Sequence, residues 1–157
     1  MKRLDIMIWK YLVEDIGEFV SATDMCCGLG VSRRQLLTRI TKLNFPFVEK
    51  DVEKFNDGNR EEREQYFRLT CTPAEAQTCT INILSKYFYC DESAVTEVIT
   101  AVPMDRPITL DEVTYPKDIF SQKDVICILG MMPSIEMTKT WSKNRYQRKD
   151  LDVQQCV

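Results

Sequence analysis

Residues 21–43, SATDMCCGLGVSRRQLLTRITKL, leave the chain few ways to bury its apolar side chains. Ala22, Met25, Cys26 and Leu29 fall on one face of a short helix, and Leu36, Ile40 and Leu43 on one face of a second. Between them stands Gly30, where the chain must reverse and where a residue without Cβ accepts the positive φ that others resist. Ser32 opens the second helix. Gln35, three residues on, completes a capping box in which each side chain satisfies the other's orphan amide. The pattern predicts a helix-turn-helix, with Arg33, Arg34, Thr38, Arg39 and Lys42 on the outer face of its second helix.

The flanking sequence extends this unit. Residues 4–16 predict a supporting helix with Leu4, Ile8, Leu12 and Ile16 on one side, Trp9 nearby, and Asp5, Lys10, Glu14 and Asp15 interrupting the apolar run. Gly17 ends it, and residues 18–20 form an extended link. Phe45-Pro46-Phe47-Val48 starts a strand, Asp57-Gly58-Asn59 is a strong turn signal, and Gln65-Tyr66-Phe67-Arg68-Leu69 returns as a second strand. The tip of that hairpin offers Lys54, Arg60 and Arg63 against Asp57, Glu61, Glu62 and Glu64.

Over residues 1–70 the chain resembles the winged helix-turn-helix of DeoR and YafY-like transcription regulators. The matching elements are the opening Met-Lys-Arg-Leu-Asp, Ser21-Ala22 and Leu29-Gly30-Val31-Ser32-Arg33-Arg34 in register, then Leu36 and Ile40. The resemblance implies double-stranded DNA as partner and the hairpin as the wing. The remainder resembles neither the sugar-phosphate sensor nor the WYL domain of those regulators, so no effector is implied. A capped helix with two arginines in its first turn suits a major groove. Arg33 and Arg34 are then the candidates for guanine edges, with Leu37 and Thr38 one turn further, and Ser32 at the helix start. Ser21, Arg39 and Lys42 are candidates for phosphate contacts. Arg39 has a structural alternative, a salt bridge to Asp24 or to an acid of the wing.

Charge sets a limit on this reading. Residues 1–70 hold 12 basic and 12 acidic side chains, residues 71–157 hold 9 and 12, and the net charge is −3. Affinity for DNA would have to come from local clusters and from a homodimer. The acid-rich wing and low net charge also suit a different use, a protein-protein interaction module of a larger complex that does not read DNA.

Thr72-Pro73-Ala74-Glu75 is a second strong helix start. The helix runs to Tyr89 with Ala76, Cys79, Ile83, Tyr87 and Phe88 as apolar members, and another follows over 92–102 with Val95, Val98, Ile99 and Val102 on one face. This helical pair, 71–102, either joins two copies of the chain or extends the core of one. Pro103-Met104-Asp105-Arg106-Pro107 reads as a linker to a small helical unit, 108–149. At an offset of 100, Ser121, Asp124, Cys127, Leu129, Gly130 and Thr138 match Ser21, Asp24, Cys27, Leu29, Gly30 and Thr38. The segment SQKDVICILGMMPSIEMTKTW also resembles helix-turn-helix segments of phage and plasmid regulators. It departs from them at Ile126, bulky where a small residue is expected, and at Glu136, where a hydrophobe should face inward. A second helix-turn-helix and a pair of ordinary packing helices are the two readings. Residues 139–149, KTWSKNRYQRK, carry five basic residues and no acid. Lys139, Lys143 and Arg145 there are candidates for additional DNA contacts, or belong to a solvated helix end. Residues 150–157 read as a flexible tail.

The expected fold is therefore mainly α with a small β-hairpin wing, a winged helix-turn-helix at 1–70 followed by a helical C-terminal region. The expected function is sequence-specific transcriptional regulation in the cytoplasm, without membrane span or cofactor. With no histidine, glycine-rich phosphate loop or nucleophile-base pair, the chain does not read as an enzyme. Seven cysteines without C-x-x-C spacing read as buried free thiols in a reducing compartment rather than as a metal site.

Overall fold

The structure, a computed structural model, describes residues 1–57 and 60–151, with backbone alone at 54–57 and 60–62. The expected turn residues Gly58 and Asn59, and residues 152–157 of the expected tail, lie outside the described residues. The fold is mixed α/β, with six helices and two three-stranded antiparallel sheets among the described residues. It divides into two compact units, Met1–Cys71 and Thr72–Val157.

The first unit runs α1 (Arg3–Glu14), β1 (Val20–Ser21), α2 (Ala22–Leu29), α3 (Arg33–Leu43), β2 (Val48–Asp57) and β3 (Arg60–Leu69). Its sheet has the order β1-β3-β2, with Val20 opposite Phe67 and the long hairpin in register from Val48–Leu69 to Asp57–Arg60. Gly30 closes α2 at φ 68°, where its own amide and that of Val31 donate to the Cys26 carbonyl at 2.9 and 3.2 Å. Ile8, Trp9, Leu12, Ala22, Met25, Leu36, Ile40, Phe67 and Leu69 form the core. The buried stripe of α1 is rotated from the expected one. Leu4 and Ile16 are only half-buried, whereas Asp5 and Ile6 are fully buried. Positions 5, 8, 9 and 12 share a helix face, and Asp5 can enter it because Arg39 meets it there.

The second unit runs α4 (Pro73–Phe88), α5 (Glu92–Thr100), β4 (Ile108–Thr109), a 3₁₀ turn (Leu110–Glu112), α6 (Gln122–Met131), β5 (Ile135–Lys139) and β6 (Asn144–Arg148). Its core gathers Ile83, Leu84, Val95, Val98, Val102, Phe120, Val125, Ile128, Leu129 and Tyr146, with the Phe88 and Phe120 rings edge to face at 5.4 Å. Three expectations are corrected here. The C-terminal region is not purely helical, because its sheet has the order β4-β6-β5. Where a second helix-turn-helix would place its second helix, and where residues 139–149 would be a solvated helix end, the chain forms the β5–β6 hairpin. Pro133 is the cause: the residue before a proline is driven out of the α region, and Met132 sits extended at φ −89°, ψ 124°. Beyond it, Ile135, Thr138 and Tyr146 favour a pleated strand. Finally, the segment read as a linker is stitched to β6, since Arg148 donates to the Pro103 carbonyl and Gln147 to that of Met104.

None of the six described cysteines is disulfide-bonded. Only Cys71 is buried, Cys27 is exposed, and the other four are half-buried, so they are not the uniformly buried set expected. Among the described residues no helix is long and apolar enough to cross a membrane.

Candidate nucleic-acid interface

The second helix of the predicted motif is α3, and its ends are fixed by local chemistry. The Ser32 hydroxyl accepts from the Gln35 amide at 3.1 Å while the Gln35 side chain accepts from the Ser32 amide at 3.0 Å. At the other end Asn44 takes the left-handed conformation at φ 46°. One helix earlier in the chain, the Ser21 hydroxyl caps α2 by accepting from the Asp24 amide at 3.0 Å. Ser21 and Ser32 thus serve first as caps, which leaves each hydroxyl hydrogen to donate elsewhere.

Of the three arginines expected on the outer face, two are held by the protein. Arg39 reaches under α1, where its Nε and Nη2 donate to the two oxygens of Asp5 at 2.8 and 2.7 Å. The Lys2 amide donates to the same carboxylate at 2.7 Å. Burial alone would raise the Asp5 pKa, but the Arg39 guanidinium and the Lys2 amide outweigh it and hold the carboxyl below its usual value. The hydrogen bond to Asp5 pushes the Arg39 pKa up in turn. The expected alternative partners of Arg39, Asp24 or an acid of the wing, are corrected: a forked pair with Asp5, buried at the carboxylate and half-buried at the guanidinium, engages the side chain.

Arg33 turns toward β3. Its Nη1 lies 3.4 Å from Glu64 and its Nη2 donates to the Arg63 carbonyl at 3.1 Å. Glu64 also accepts from the Thr23 amide at 3.2 Å and the Thr23 hydroxyl at 2.7 Å. Burial raises its pKa, and the Thr23 and Arg33 hydrogen bonds more than reverse that shift. One carboxylate therefore ties the starts of α2 and α3 to the sheet. Neither Asp5 nor Glu64 was singled out by sequence as a partner of these arginines; an acid inside an otherwise apolar helix stripe was the available signal for Asp5.

What remains on the solvent side of α3 is a stripe at helical spacing, Arg34, Thr38, Thr41 and Lys42, all exposed, with Leu37 half-buried at its margin. The Thr41 hydroxyl bonds back to the Leu37 carbonyl at 2.9 Å. The remaining candidates belong to the second unit. Lys139 and Arg145 are exposed on the β5–β6 hairpin, and Lys143 lies 3.4 Å from Asp111.

Burial pushes the Cys26, Cys79 and Cys90 thiols up, away from the thiolate that nucleophilic or ligand chemistry needs. Among the described residues no group of three metal-ligating side chains is arranged to hold an ion. No family model, curated protein or solved structure matches the chain.

Proposed function

We propose that this chain is a sequence-specific DNA-binding transcription regulator of the winged helix-turn-helix type, with α3 as the helix that enters the major groove. The observation that carries the reading is the α3 stripe: Arg34, Thr38 and Lys42 stand exposed while the protein itself engages Arg33 and Arg39. The order of helix, short strand, two helices and hairpin supports it, as does the resemblance of residues 1–70 to DeoR and YafY-like regulators. In this reading Arg34 reads a base edge, Thr38 extends the contact, and Lys42 meets a phosphate. Arg33 and Arg39 are positioning residues that hold α3 against the sheet and α1. The β2–β3 hairpin serves as the wing. One α3 supplies two uncommitted cations, so a homodimer or the second unit supplies further contacts. The protein acts in the cytoplasm.

A second reading, a protein-interaction module, draws on the exposed Phe19, Phe47 and Val52 of the same unit. A mobility-shift titration against fragments of the source genome, repeated across salt concentrations, separates the two. Replacing Arg34 and Lys42 together by Ala is expected to weaken binding at least about tenfold and, through the lost Lys42 phosphate contact, to flatten the salt slope by about 1. Arg33→Ala is expected to weaken it less. Unchanged affinity in the double variant would sink the DNA reading of α3.

A further inference from the structure

The two sheets share one strand order: in each, a two-residue first strand pairs with the last strand, which pairs with the middle one. In each, a helix leads directly into the hairpin, α3 into β2–β3 and α6 into β5–β6. The second hairpin stands at the same place in its topology as the first, yet its chemistry is the opposite. From residue 137 to residue 149 there is no acid.

Its tip is closed by its own hydrogen bonds. The Thr140 amide donates to the Lys143 carbonyl at 3.1 Å and the Lys143 amide to the Thr140 hydroxyl at 3.3 Å. This holds Trp141 at the apex with its indole fully exposed, whereas Trp9, the other tryptophan of the chain, is fully buried. Lys139 and Arg145 flank the apex on facing strands, opposite Asn144 and Thr138. Lys143 is paired with Asp111, but both side chains are more than half exposed, and such a pair gives way readily to a phosphate. Tyr146 anchors the hairpin in the core beneath them.

We propose that the β5–β6 hairpin is a second contact for duplex DNA, with Lys139, Lys143 and Arg145 on phosphates and the Trp141 indole in the groove against the bases. Cations beside a solvent-held aromatic are the pairing that nucleic acid rewards, charge by the backbone and a flat apolar face by the bases. This rests on the reading of the chain as a DNA-binding protein. It adds to that reading a site outside the predicted motif.

Trp141 makes the test direct, because Trp9 is shielded and responds little to a surface ligand. The full chain is titrated with a short random-sequence duplex at low salt, with a single-stranded oligonucleotide of the same length, and with anionic phospholipid vesicles. Fluorescence, acrylamide quenching and mobility shift are read in parallel. The expected result is that duplex quenches Trp141 and shields it from acrylamide, and that Trp141→Phe abolishes the signal. The double variant Lys139→Ala, Arg145→Ala is expected to lose about tenfold in duplex affinity with Trp9 emission unchanged. Arg34→Ala with Lys42→Ala is expected to move the Trp141 titration to at least about tenfold higher duplex concentration while leaving its amplitude at saturation unchanged. Duplex binding with a silent Trp141 overturns the hairpin site alone, and loss of binding only through the hairpin overturns the role of α3 alone. A Trp141 response to vesicles or single strands but not to duplex overturns the hairpin site; no duplex binding at all overturns both.

Discussion

In the first unit the most deeply buried acid, Asp5, accepts three hydrogen bonds, two of them from Arg39. In the second unit the Ser134 hydroxyl is buried with no hydrogen-bond partner among the described residues, although the Ser134 amide and carbonyl are both engaged. The same strand order is thus stabilised in two ways. The first unit fixes its helices with charge, Arg39 to α1 and Arg33 to the sheet, and its exposed helix keeps few cations. The second closes on an apolar core and leaves its cations on a hairpin. An arginine on a helix surface is consequently no measure of binding potential until its partners are known.

The strongest way to break this contrast is to remove Arg39. Arg39→Ala leaves Asp5 buried without its counter-charge and is expected to lower the melting midpoint on the order of 10 °C. In a Trp141→Phe background, Trp9 emission reports the first unit alone; a midpoint within a degree of the parent would contradict a structural role for the pair.

Acid should act on the same pair. The folded Asp5 pKa is lowered, so its contribution is fully present above the ordinary value of 3.8 and is lost as pH falls below that value through the folded one. Asp5→Asn is expected to be less stable at neutral pH and to show a shallower loss between pH 4 and pH 2, read from urea midpoints along a pH series. Equal slopes for variant and parent would remove Asp5 from the account. Glu64, also lowered, adds a component of the same sign in both proteins.

The smallest effect sharpens the second side of the contrast. Ser134→Ala removes a buried hydroxyl that bonds to none of the described residues and is expected to raise stability by up to about 1 kcal/mol. A loss in chemical denaturation would show that the hydroxyl has a partner.

How much of this was legible in the sequence follows from the range of each interaction. The Ser32–Gln35 and Thr72–Glu75 boxes and the reversal at Gly30 are settled within four residues, and the structure has all three. The Arg39–Asp5 and Arg33–Glu64 contacts span 34 and 31 residues. At that distance an exposed arginine and an anchored one look alike, so sequence placed both on the outer face. The β5–β6 hairpin was missed for a different reason. Its similarity to a helix-turn-helix segment masks the strand signal carried by Pro133 and by the alternation that follows it.

β2 is the longest strand of the first unit together with β3, and it is also outermost, with only one neighbour. A ten-residue edge strand invites another molecule to add itself as the next strand, although the Val52 amide is already taken by the Asp51 carboxylate at 2.9 Å. Four of its first six residues, Glu49, Lys50, Asp51 and Glu53, are charged. Stacking a second copy there would bring like charges together and strip them of water, so this border acts as a guard against sheet-to-sheet growth.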